Sequence, residues 1–129
     1  MSTYQAVKTI NAVAGSAVTI YRFVVRDAAG DGKYDHVSGA DERMDGIAAE
    51  SVPTDEDVFP MVIPNGTIVK VEAGAAVTAG DTVASDNVGR VITASTGVGN
   101  YTAGIAQTAA GGAGEIIEIQ FIQDLDQVA

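Results

Sequence analysis

Apolar and polar positions alternate along several short stretches of the chain, with the period of two expected of a strand. In Ala17–Arg26, AVTIYRFVVR, the alternation puts Thr19, Tyr21, Phe23 and Val25 on one face and Ile20, Arg22, Val24 and Arg26 on the other. In Glu115–Ile122, EIIEIQFI, it turns Ile117, Ile119 and Phe121 inward and Glu118 and Gln120 outward. Between these, Met61-Val62-Ile63 meets Pro64-Asn65-Gly66 and returns as Thr67–Glu72. Asn-Gly between β-branched runs predicts a hairpin. From Ala73 the pattern is short strands and tight turns through Val77–Val83, Asp86–Ile92 and Gly104-Ile105-Ala106, then an Ala/Gly-rich loop over Thr108–Gly114. Asp27–Asp45 reads as a turn-rich segment and Ser51–Pro60 as an acidic connection.

Composition sharpens this to a mainly β fold. Val, Ile and Thr number 17, 11 and 11, against a single Leu, Leu125. Branched side chains suit a pleated surface, whereas helices lean on Leu. The expected architecture is one small barrel-like domain of short strands over residues 16–122. An extended N-terminal arm, 1–15, precedes it and a polar tail, 123–129, follows. With few aromatics (four Tyr, three Phe, no Trp), the core is thin for its length, and association with a partner would help to stabilise it.

A faint echo runs through the chain. Gly32-Lys33-Tyr34, Gly46-Ile47-Ala48 and Met61-Val62-Ile63 are followed, at an offset of about 57 residues, by Gly89-Arg90-Val91, Gly104-Ile105-Ala106 and Ile116-Ile117. The echo predicts two similar β lobes, and chance in an Ala/Gly-rich chain is the competing explanation.

Charge narrows the partners. The net charge is -10, from 7 Lys+Arg and 17 Asp+Glu, which does not suit gripping a phosphate backbone. No nucleic acid is expected as a partner, and no membrane, since no apolar run is long enough to span one. The start lacks the pattern of a secretory signal, so an intracellular origin is expected. Residues 1–26 carry Lys8, Arg22 and Arg26 and no acid, while residues 27–57 are strongly acidic. The basic front suggests partner contacts by Tyr4, Val7, Lys8 and Ile10 of the arm, with Arg22 and Arg26 behind it.

Candidate chemistry is sparse. The chain has no Cys and one His, which excludes thiol chemistry and multi-histidine metal sites within one chain. Asp27, Asp31, Asp35, Asp41 and Asp45 lack the ligand spacing and closing Glu of a calcium loop. His36 lies beside Asp35, but neighbours on a strand point to opposite faces, so a surface loop histidine is expected rather than a catalytic base. Gly111–Gly114 lacks the Lys-Ser/Thr ending of a phosphate loop and precedes a strand. Val71–Val83 with Gly89-Arg90-Val91 is similar to a lipoyl-type carrier, but the tip Ser85-Asp86-Asn87-Val88 has no lysine to modify. No enzyme activity and no cofactor or metal are expected.

The run Val77-Thr78-Ala79-Gly80-Asp81-Thr82-Val83, Gly89-Arg90-Val91-Ile92, Ala103-Gly104-Ile105-Ala106 and Glu115-Ile116-Ile117-Glu118-Ile119 resembles the capsid cement, or head-decoration, proteins of tailed bacteriophages. The resemblance covers residues 60–122, and more loosely 17–122. It implies a β-tulip fold like that of lambda's head-decoration protein. It also implies a homo-oligomer, usually a trimer, made in the host cytoplasm and docked on the major capsid protein at the outer surface of an icosahedral shell. The alternatives are another β-rich virion part, such as a tail or fibre component, and a small acidic carrier or binding domain.

Overall fold

The computed structural model describes residues 8–27, 32–40, 42–95 and 100–125, and among them are ten strands and no helix. The first five strands, β1 (Thr9–Ala14), β2 (Phe23–Arg26), β3 (Lys33–His36), β4 (Gly46–Ala48) and β5 (Val58–Val62), close into a barrel in the order β1-β3-β2-β4-β5. The second five, β6 (Ile68–Glu72), β7 (Thr82–Ser85), β8 (Val91–Thr93), β9 (Tyr101–Ala106) and β10 (Ile116–Leu125), form a sheet in the order β6-β10-β9-β7-β8.

The two lobes are copies of one topology. Thr9 pairs with Val62 in the first lobe and Ile68 with Gln120 in the second, offsets of 59 and 58 residues. Phe23–Ile47 is matched by Thr82–Ile105, and Ile47–Val62 by Ile105–Gln120. The β2–β3 ladder, with Val24 opposite His36, recurs as β7–β8 with Val83 opposite Thr93. The parallel β1–β3 pairing that closes the barrel survives in the second lobe as one parallel bridge, Ala73 to Val91. Loop hydrogen bonds repeat as well: Tyr21 N–H donates to the Ala48 carbonyl, and Gly80 N–H to that of Ala106.

Each lobe fills its interior with matched side chains. Ala12, Val18, Val24, Phe59 and Met61 pack inside the barrel, and Val71, Val77, Val83, Ile117 and Ile119 occupy the corresponding places in the second lobe. Phe23, Ile47 and Val62 point out of the barrel into the core of the second lobe. Phe23 and Phe121 meet there with ring centroids 5.9 Å apart. This contact explains why alternation misleads in β2, where Phe23 and Val24 are both fully buried, one in each cluster.

Several expectations shift accordingly. Thr9–Ala14, assigned to the arm, is the barrel strand β1, because pairing with β5 satisfies its backbone. Ala17–Arg26 is a strand only from Phe23. Turn-rich Asp27–Asp45 contains β3, and β10 runs to Leu125 rather than ending at Ile122. Pro64-Asn65-Gly66 does turn the chain, with Asn65 Oδ1 accepting from Thr67. Yet β5 and β6 belong to different sheets, so the turn is a crossover between lobes and not a hairpin.

The repeat also exposes local strain. Among the described residues, Tyr21 and Glu56 are the non-glycine residues with positive φ, at 69° and 65°, and their counterparts in the second lobe are Gly80 and Gly114, at 93° and 93°. A side chain in this left-handed region costs about 1–2 kcal/mol. Glu56 is exposed, so replacing it removes strain without removing packing. Glu56→Gly is expected to raise stability by about 0.5–1 kcal/mol after the added unfolded-state entropy is subtracted. Gly114→Ala should lower it by about 1 kcal/mol or more. Urea unfolding of the three proteins checks both signs.

Candidate interaction surface

Where the lobes meet, one segment carries the connection. Val18 N–H donates to the Val52 carbonyl, Ile20 N–H to Ser51 Oγ, Tyr21 N–H to the Ala48 carbonyl and Phe23 N–H to the Gly89 carbonyl. The Tyr21 carbonyl accepts from Glu72 N–H at 2.8 Å. Arg22 Nε meets Glu72 Oε1 at 3.2 Å, both side chains being largely shielded. The segment is thus bonded to the barrel on one side and to β6 and the β7–β8 turn on the other. That turn is itself fixed by nearly buried Asp86, whose carboxylate accepts from Val88 N–H, Arg90 N–H and Arg90 Nε.

His36 belongs to this seam. It sits in β3, half-buried, and its Nε2 accepts from Thr19 N–H at 2.9 Å. An accepting Nε2 requires the neutral imidazole. Burial lowers its pKa below the ordinary 6.5, and the Arg22 guanidinium adds to this, while Asp35 and Glu72 oppose it. Asp35 bonds Ser16 instead, so the two neighbours form no relay. The expectation of a surface loop histidine is corrected: the ring is a structural acceptor.

The proposed contact residues do not form one patch. Tyr4 and Val7 lie outside the described residues, as do Asp31 and Asp41 of the acid cluster. Lys8 is exposed at the start of β1, its carbonyl accepting from Ile63 N–H. Ile10 is exposed at the barrel mouth, in phase with inward Ala12 and Ala14. Arg22 is occupied by Glu72 in the seam. Arg26 is level with Ala14 through Tyr34, six residues along β1 from Lys8, or about 20 Å. Among the described residues no group of three or more His, Asp or Glu stands together to hold a metal ion.

Other apolar side chains face solvent, and single-strand alternation did not single them out. Val58 and Ile116 are exposed at matching places in β5 and β10, and Ile105 is exposed in β9. A groove of about 290 Å³ runs between the lobes, walled by Tyr21, Ile47 and Val62 on one side and Ile68, Val69 and Lys70 on the other. The glycine-apolar echo was the signal that could have led to these positions, because it aligns Ile105 with Ile47.

The profile of a family described as phage cement protein matches residues 1–121. No curated protein matches the chain. Among solved structures, the head fiber gp8.5 N base of bacteriophage phi29 has the same fold, with a TM-score of 0.73 and 18% identity. The alignment covers 96% of this chain and 99% of that one.

The seam makes stability depend on pH. Because the folded-state pKa of His36 lies below 6.5, its contribution is complete above that value and is lost as pH falls from it towards the folded value. The wild-type melting temperature should therefore carry a downward shift contributed by His36 between pH 7.5 and pH 5. His36→Gln, which keeps a neutral acceptor, should remove the part of the shift that lies near neutrality. Parallel pH profiles for the two proteins would contradict the assignment.

Proposed function

The chain belongs to the phage cement protein family, and we propose that it docks as a homo-oligomer, a trimer, on the outer surface of an icosahedral shell, against the major capsid protein. It is a structural component of the virion that stabilises the capsid. The observation that carries this reading is the family match across nearly the whole chain, both lobes included. The physical picture agrees with the role. Among the described residues the interior is packed with Ala, Val, Ile, Met and Phe side chains, and the one histidine is committed to a backbone amide. A bound cement stabilises a shell by mass action, because it binds the assembled lattice and not its separated parts.

The segment ahead of β1 makes the first contact. Tyr4 and Val7 supply apolar surface and Lys8 a charge, with Arg26 a separate contact elsewhere on the barrel. Arg22 serves the seam. A fibre role is the second reading, favoured by the fold shared with the phi29 head fiber base.

The test is pelleting of purified protein with mature shells stripped of it. Saturable binding is expected. Deleting residues 1–7 leaves β1 whole and should weaken shell binding by about tenfold or more, with chain stability changed by no more than about 0.5 kcal/mol. Unchanged binding would overturn the assigned contact.

A further inference from the structure

The contact between the two lobes has a direction. The first lobe offers the outward face of β2, β4 and β5, represented by Phe23, Ile47 and Val62. The second lobe receives it at the mouth beside β6, where Val69 and Phe121 sit. In a repeat, each of these faces exists twice. The second lobe's counterpart of the offering face is Thr82, Ile105 and Gln120, by the matched pairings of β7, β9 and β10. The first lobe's counterpart of the receiving mouth is Thr9, Ile10 and Ile63, by the matched pairings of β1 and β5.

In both counterparts the isoleucine at the centre is uncovered. Ile47 is 1% exposed and its equivalent Ile105 is 38% exposed; Val69 is 7% exposed and its equivalent Ile10 is 41% exposed. Isoleucine stands at each uncovered place, where a solvated surface would ordinarily take a polar residue. One lobe–lobe contact is made inside the chain, and the two halves of a second such contact face solvent at opposite ends of it.

We propose that the Ile105 face of one copy packs on the Ile10 mouth of the next, repeating between copies the contact that joins the lobes within one. The occupant of each surface is a second copy of this chain, and the interface is heterologous. Such an interface closes into a ring when its rotation permits and otherwise grows without end. Three copies would give a ring of six alternating lobes. The contact between copies is weaker than the one within, because the Arg22–Glu72 pair is replaced by its counterparts Asp81 and Val13. The inference deepens the homo-oligomer part of the function proposed above and rests on it.

Sedimentation velocity on the full chain tests it. The wild type should sediment as a closed oligomer, and Ile105→Asp as a folded monomer that still melts cooperatively, at a temperature no higher than that of the wild type. Ile10→Asp should also be monomeric. An equimolar mixture of the two variants retains one intact face of each kind, so at raised concentration it should give one-to-one dimers and nothing larger. Ile105→Asp keeping the wild-type mass would overturn the proposal, as would a dimer formed by either variant alone. If Ile10→Asp does not fold, the mass of Ile105→Asp decides. A wild type that is monomeric yet saturates shells overturns this interface and leaves the cement role standing. A wild type that assembles as described but does not bind shells does the reverse.

Discussion

Tyr21 holds a left-handed backbone, φ 69°, between the two lobes, and most of what joins them passes through its neighbours. Its amide is bonded to β4 of the barrel and its carbonyl to β6 of the second lobe. Arg22 then reaches Glu72, Phe23 enters the core of the second lobe, and His36 Nε2 accepts from Thr19 N–H. A buried amide without a partner costs about 1–3 kcal/mol, so the bonded amides of this segment must be kept together or lost together. The strained residue persists because the surrounding bonds over-determine it. Its counterpart, Gly80, has the same backbone role without the strain.

Duplication gives the molecule its shape and its open ends. Matching ladders show one five-strand plan used twice, first as a closed barrel and then as a sheet that stops at a single bridge. Two lobes sharing an apolar contact bury surface that neither could bury alone, which suits a chain with three Phe and no Trp. A rigid unit of this kind loses little freedom when it docks, so more of the contact energy is left to hold a lattice together. That is what a cement requires, and the family to which the chain belongs supplies the lattice: a phage capsid.

Much of this was legible in the sequence, for identifiable reasons. The β class followed from Val, Ile and Thr, and β10 from clean alternation, since one of its faces is buried and the other open. Alternation failed at Phe23 and Val24 because both faces of β2 are covered. The arm was misjudged because Thr9–Ala14 has small side chains and its partner β5 is far along the sequence. Pro64-Asn65-Gly66 showed a turn but not which sheet each flank would join. The contact residues were read from charge asymmetry and a lack of periodicity at the front of the chain. That placed Arg22 among them, where Glu72 across the seam in fact engages it, and it passed over Ile105. The weak glycine-apolar echo held more information than it showed, since its value depends on pairings that only three dimensions reveal.

The central claim is that this chain stabilises a capsid by binding the assembled lattice. The direct measurement is calorimetry of stripped, mature shells with increasing amounts of the purified protein. The shell transition should move to higher temperature as sites fill and stop moving once they are full. A shell transition that stays in place at full occupancy would contradict it, and would make the protein a passenger on the shell, as a fibre base could be.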